Sequence, residues 1–128
     1  MSPELTLLVW TTILTLVQVV VAAMGATSQV GLPILAGNRE TVPAVGGWAG
    51  RAQRAHRNML ESFVLFAVLV LVAQIAGKTN AMTALGAELF FWARLVYAVI
   101  YVVGVPWLRT GVWGVSVAGL LLIIAQLV

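Results

Sequence analysis

The sequence predicts an all-α integral membrane protein built as a bundle of four spanning helices. Three observations predict it. Of 128 residues, 62% are hydrophobic and only 9% charged, whereas a soluble domain carries about 25% charged residues. The chain divides into four apolar stretches near the ~20 residues that a bilayer requires. The connections between them hold most of the glycine, proline and arginine. A soluble enzyme and a disordered tail are excluded. A pI near 10.2 points toward nucleic acid, but a net charge of +3 supplies no basic patch for it. With no cysteine and one histidine, neither a disulfide framework nor a plausible metal-ligand set is available.

The first helix is expected over about residues 4–26, opened by Ser2 or Pro3. Its uncharged length and Glu4 argue against a cleaved signal peptide. A cytoplasmic-side loop follows over 27–50, rich in glycine and containing Pro33, Pro43, Arg39 and Glu40. The second helix is expected over 51–77. Its uncharged part, from Ser62 to Ala76, is too short to span alone, so it must take in Arg51 to Glu61. A tight turn at Gly77 leads to the third helix over 81–103, which carries Glu88 and Arg94. After the break at Gly104 to Arg109, the fourth helix covers 110–127. The whole chain, 1–128, forms one domain. Arginine gathers at the first and third connections with their flanks (Arg39, Arg51, Arg54, Arg57, Arg109), against only Lys78 elsewhere, which places those connections in the cytoplasm and both termini opposite.

Ionisable residues within a span mark function or a structural pair. At about 100° per residue, Arg51, Arg54, Asn58 and Glu61 share a stripe roughly 80° wide on the second helix. Arg57 flanks the stripe and His56 points almost oppositely. On the third helix Arg94, Tyr97 and Tyr101 form a second stripe, with Glu88 on the far face. The two helices run in opposite directions, so Glu61 and Arg94 meet at similar depth, Asn58 nears Tyr97, and Arg54 nears Tyr101. At ~1.5 Å per residue this pocket reaches about 15 Å in from the cytoplasmic edge, with Arg109 over its mouth. Arginines snorkelling to headgroups, a structural Glu61–Arg94 pair and interfacial tyrosines are the structural alternatives. Several arginines fix carboxylates, a carboxylate fixes an amine, and Asn and Tyr satisfy amides. The ligand implied has at least one carboxylate and an amine and lies beside lipid in a pocket open to the cytoplasm; a glutathione-like peptide fits, but these residues alone do not single it out.

The run Arg51-Ala-Gln-Arg-Ala-His-Arg-Asn-Met-Leu-Glu61 resembles the signature of the MAPEG superfamily, which includes the microsomal glutathione transferases and leukotriene C4 synthase. Arg51, Ala55, Asn58 and Glu61 occupy its places, and Arg94 with Tyr97, Tyr101, Pro106 and Arg109 makes a second match. The tail from Tyr101 through Trp113 resembles the bacterial branch. The resemblance implies a homotrimer in a bacterial inner membrane, holding glutathione between neighbouring subunits near the cytoplasmic side. By position, Arg51, Arg54, Asn58, Glu61, Tyr97 and Tyr101 belong to that site, with Arg94 supporting it and His56 reaching in from the adjacent subunit. Arg109 matches the arginine that stabilises the glutathione thiolate, with Tyr101 as a hydrogen-bond donor to the sulfur. Arg39 corresponds loosely to a loop arginine gripping a carboxylate. Gly50 departs from the signature, which has a Glu there, and Ser62 departs from the leukotriene synthase branch, which has a Tyr.

The activity implied is a detoxifying glutathione transferase, with peroxidase chemistry as an extension, attacking a lipophilic electrophile from the bilayer. The alternative is a non-catalytic protein of the same fold that binds glutathione or lipid. A small multidrug transporter is a third reading, disfavoured because the first helix has no deep acid beyond Glu4, leaving only Glu88.

Overall fold

The computed structural model describes all 128 residues, and all of its regular structure is helical. Helix α1 runs Pro3–Val30, α2 Leu32–Ala36, α3 Gly47–Ile75, α4 Ala81–Val103 and α5 Pro106–Leu127. The four long helices are each long and apolar enough to cross a membrane. Trp10, Val64, Val68, Trp92, Val99 and Leu121, among many large apolar side chains, lie on the outer surface. A water-soluble fold could not tolerate such a surface, but lipid tails solvate it.

The third expected helix, 81–103, is α4 at both ends; the other helices differ from the sequence expectation, each for a local reason. Helix α1 continues to Val30, past Gly25, because the turn of glycine and small residues packs directly on α3. A Cβ at Gly25 would lie 2.6 Å from Ala49 Cβ. The helix stops only at Gly31, where φ reaches 97°. Helix α3 starts at Gly47, four residues before Arg51, so the arginine-rich segment is already helical when it enters the bundle. Helix α5 starts at Pro106, whose missing N–H costs nothing in a first turn. The loop also holds the short α2, and Arg39 just beyond it has a φ of 57° while its Nε donates to the Leu35 carbonyl at 2.6 Å.

One end of the bundle holds both termini and is fastened by side-chain hydrogen bonds. Ser2 caps α1 by accepting from the Leu5 amide at 3.2 Å, and its hydroxyl donates to Gln74 at the end of α3 at 2.8 Å. The carboxylate of Glu4, 3% exposed, accepts from the Thr83 hydroxyl in α4 at 3.0 Å. Asn80 and Thr83 close a reciprocal capping box at the start of α4. Asn80 also donates to Gln126 near the end of α5 at 2.9 Å. These bonds fix the level of every helix: α1 and α4 run parallel, with α3 and α5 against them.

Between the ends, packing is apolar and close. Phe66 and Phe90 stack at 4.2 Å among Leu7, Val70, Leu120 and Ile123. Helices α4 and α5 meet backbone to backbone, since a Cβ on either Gly86 or Gly119 would lie 2.6 Å from the other's carbonyl oxygen. Lipid tails are as apolar as leucine, so association inside a membrane depends on such fit. Thr11 and Thr15, buried in α1, return their hydroxyls to the carbonyls of Leu7 and Thr11 at 2.7 and 2.8 Å. The result is a scaffold that holds the opposite, loop-bearing half of α3, α4 and α5 in fixed register.

Candidate functional site

In that half, the polar stripe of α4 becomes a ladder of rings and cations. The Arg94 guanidinium stacks on the Tyr97 ring at 4.2 Å from its centroid. Tyr97 meets Tyr101 edge to face at 5.6 Å. Arg109, from the first turn of α5, covers the Tyr101 ring at 4.3 Å. Spacings of three, four and eight residues along α4 and around the Gly104 turn bring these four side chains into line. Gly104, with φ 98°, ends α4 and lets Pro106 begin α5 at once, so Arg109 folds back over the last turn of α4. Cations over aromatic faces gain energy without surrendering their donors. Arg109 therefore keeps N–H groups for an anion while its position is held by Tyr101.

Asn58, from α3, faces this ladder: Asn58, Tyr97, Arg109, Thr110 and Trp113 line one cleft of about 160 Å³. The sequence expectation that Asn58 and Tyr97 come together is met. Thr110 and Trp113 were not anticipated there. Both lie within one helical turn of Arg109, and that spacing was the signal; Trp113 instead reads as an interfacial indole when sequence alone is considered.

The expected contact between Glu61 and Arg94 is absent. Arg94 is 1% exposed, and its Nε, Nη1 and Nη2 have no hydrogen-bond partner. Glu61 and Arg54 are exposed on the outer face of α3. Arg94 turns along its own helix onto Tyr97 instead of crossing to α3. Arg51 is also differently employed. Its Nε donates to the Val102 carbonyl at 2.8 Å, tying the start of α3 to the end of α4 beside Gly104. It satisfies a carbonyl that the end of α4 would otherwise leave free.

His56 lies in a second cleft, of about 410 Å³, with Arg39, Gln53 and Arg57 against α1 and α2. The chain thus has two polar faces on opposite sides of α3, and its own side chains complete neither. Six buried side-chain polar atoms lack a hydrogen-bond partner; apart from Gln18 Oε1, they belong to His56, Asn58 and Arg94. Buried polar atoms are satisfied in the great majority of native structures, and exceptions ask for an explanation.

The arrangement offers fixed cations and unpaired acceptors, a chemistry that suits an anionic, amide-bearing molecule. The model for the MAPEG family matches residues 5–128, which takes in every helix described above. The chain belongs to the MAPEG family. Neither the curated proteins nor the solved structures contain a match. Membership makes it an integral, multi-pass membrane protein of glutathione-related or eicosanoid metabolism. Among MAPEG proteins some are glutathione transferases and some are non-catalytic.

The structure gives a physical reason for the departure of this MAPEG chain at Gly50. The preceding segment curls back so that a Cβ at Gly50 would run into the Val45 carbonyl, with the Arg54 guanidinium also close by. A glutamate there would displace the backbone that enters α3. Here the first acidic position of the signature has been exchanged for a tight loop-to-helix entry.

Proposed function

We propose that this protein is a membrane-bound glutathione transferase that acts as a homotrimer, with its sites toward the cytoplasm of a bacterial inner membrane. The observation that carries the proposal is Arg109 stacked over Tyr101 at 4.3 Å, in one cleft with Tyr97 and with Asn58, whose Oδ1 has no partner. A thiol with a pKa near 9 is mostly protonated at neutral pH, and an adjacent cation favours its thiolate. Each pKa unit corresponds to ~1.4 kcal/mol of differential interaction. Arg109 supplies that cation, and the Tyr101 hydroxyl donates a hydrogen bond to the sulfur. Arg54 holds a carboxylate, Glu61 the amine, and Asn58 with Tyr97 the amide groups of the peptide. The thiolate then forms a carbon–sulfur bond with a lipophilic electrophile arriving from the bilayer, whose leaving group departs with the electron pair.

The two incomplete faces of α3 support assembly in a ring. One bears Arg54, Asn58 and Glu61; the other bears His56 and Arg57 with Arg39. A face-to-opposite-face contact between copies repeats until the rotation closes. In a trimer His56 and Arg39 of one subunit would complete the site of the next.

Rapid mixing of the purified protein with glutathione tests the reading through ultraviolet thiolate absorbance. A rising thiolate signal, lost in Arg109→Ala while calorimetric binding persists, is expected. No signal and no binding would sink it. Binding without thiolate would favour the second reading, a glutathione-binding protein without catalysis. Gly50 and the engagement of Arg51 by Val102 speak for that reading, because both alter the entry to the signature helix.

A further inference from the structure

Glu88 is the one acid within the spans that neither the clasp at the termini nor the proposed glutathione site employs. It stands seven residues into α4, about 10 Å from the end of the bundle that holds the termini, and is exposed on the outer face. Its Oε2 accepts from the Trp92 indole N–H at 2.7 Å, and its Oε1 accepts nothing. No cation of the chain pairs with it. Lys78, at the same end, donates instead to the Leu127 carbonyl at 3.3 Å, and Met1 is 87% exposed. The arginines all belong to the loop-bearing half. An acid at this depth is costly and almost always paired. Its partner has to come from outside the chain.

Glu88 opens into a groove of about 530 Å³ between α1 and α4. The walls are aromatic, with Trp10 from α1 and Phe91 and Trp92 from α4. Trp10 also stands seven residues into its helix, and α1 and α4 run parallel, so the carboxylate and the rings share one level. Trp10 is 53% and Trp92 55% exposed, which opens the groove sideways toward lipid. Phe91 braces Trp92 edge to face at 5.0 Å. The remaining side-chain polar groups are the Thr6 hydroxyl and the Trp10 indole N–H, both neutral.

We propose that this groove binds a lipophilic organic cation, an onium ion or protonated tertiary amine carrying apolar groups. The carboxylate supplies the opposite charge, and three aromatic rings supply both apolar surface and quadrupole attraction for a cation. Hydration excludes the inorganic cations: calcium takes about six to eight oxygen ligands, and the groove has one carboxylate and one hydroxyl. An anion meets the charge of Glu88. A zwitterionic headgroup brings a phosphate for which the groove has no cation, and a neutral ligand leaves the acid unpaired. This site is separate from the Arg109 cleft and stands whether or not glutathione chemistry takes place there.

The test is equilibrium dialysis of radiolabelled tetraphenylphosphonium against the full chain in nanodiscs of zwitterionic lipid, read beside empty nanodiscs. Tetraphenylborate, an anion of the same shape, is the control. Saturable binding of the cation, about one per chain, is expected, with no saturable excess of the anion. Glu88→Gln, nearly isosteric, should weaken cation binding about tenfold or more by removing the opposite charge. Trp10→Leu, on the other helix, should weaken it about threefold, the worth of one ring beneath a cation. No saturable excess of the cation over empty nanodiscs, equal affinity in Glu88→Gln, or equal uptake of tetraphenylborate would overturn the proposal.

Discussion

The two ends of the bundle treat their polar residues in opposite ways. At the end holding the termini, Ser2, Glu4, Gln74, Asn80, Thr83 and Gln126 bond to one another across four helices. At the loop-bearing end, Asn58 Oδ1 and the three Arg94 nitrogens are buried yet have no hydrogen-bond partner. Inside a membrane both arrangements come at a cost, but only the first returns it within the fold. The difference is one of fit: polar groups that bond each other set the register of the helices, and on the proposed reading the groups left over at the other end belong to a ligand site.

Four substitutions can break or sharpen that contrast. The largest effect belongs to Arg109→Ala, which should lower turnover roughly 10²–10³-fold, the usual cost of removing one donor to a developing anion. Glutathione affinity should change little, so steady-state rates read beside calorimetry make the check. Second is Gly86→Val in the rigid seam of α4 and α5. Its first carbon would meet the Gly119 carbonyl oxygen at 2.6 Å and Ile123 Cγ1 at 2.8 Å. A loss of about 3 kcal/mol, toward the upper end of overpacking costs, is expected in detergent unfolding.

Third is Thr83→Val, an isosteric change at the clasp. It deprives Glu4 and the Asn80 amide of their partner, bonded at 3.0 and 2.7 Å. Stability should fall by about 2 kcal/mol, with glutathione affinity unmoved. The smallest effect has the opposite sign. Asn58→Leu removes an unsatisfied buried acceptor and should raise stability by about 1 kcal/mol while weakening glutathione binding. Thermal unfolding of both variants side by side shows whether the ends differ as described.

Much of this was legible in the sequence, and what was not has physical causes. Four apolar stretches fix four spans, because lipid demands about 20 apolar residues of each. Helix ends are less legible where glycine and proline stop acting as breakers: Gly25 is a packing contact, Gly47 lies inside the first turn of α3, and Pro106 starts α5. On the site, helical periodicity gathers Arg94, Tyr97 and Tyr101 on one face and sends His56 to another, as the clefts show. Periodicity gives a direction from the helix axis but not a rotamer. Arg94 has a long side chain and a ring one turn along its own helix, so it stacks there and does not reach Glu61. Arg51 similarly finds a nearer partner in a carbonyl that no residue pattern displays.

The central claim is that the unpartnered groups at the loop-bearing end are reserved for glutathione. Thermal unfolding of the parent protein and of Asn58→Leu, each with and without saturating glutathione, tests it most directly. A ligand at 100 times its dissociation constant stabilises the state it binds by ~2.7 kcal/mol. The account predicts a marked upward shift for the parent, a higher starting stability for Asn58→Leu, and a much smaller shift for that variant. An unmoved parent, together with an Asn58→Leu variant less stable than it, would contradict the account.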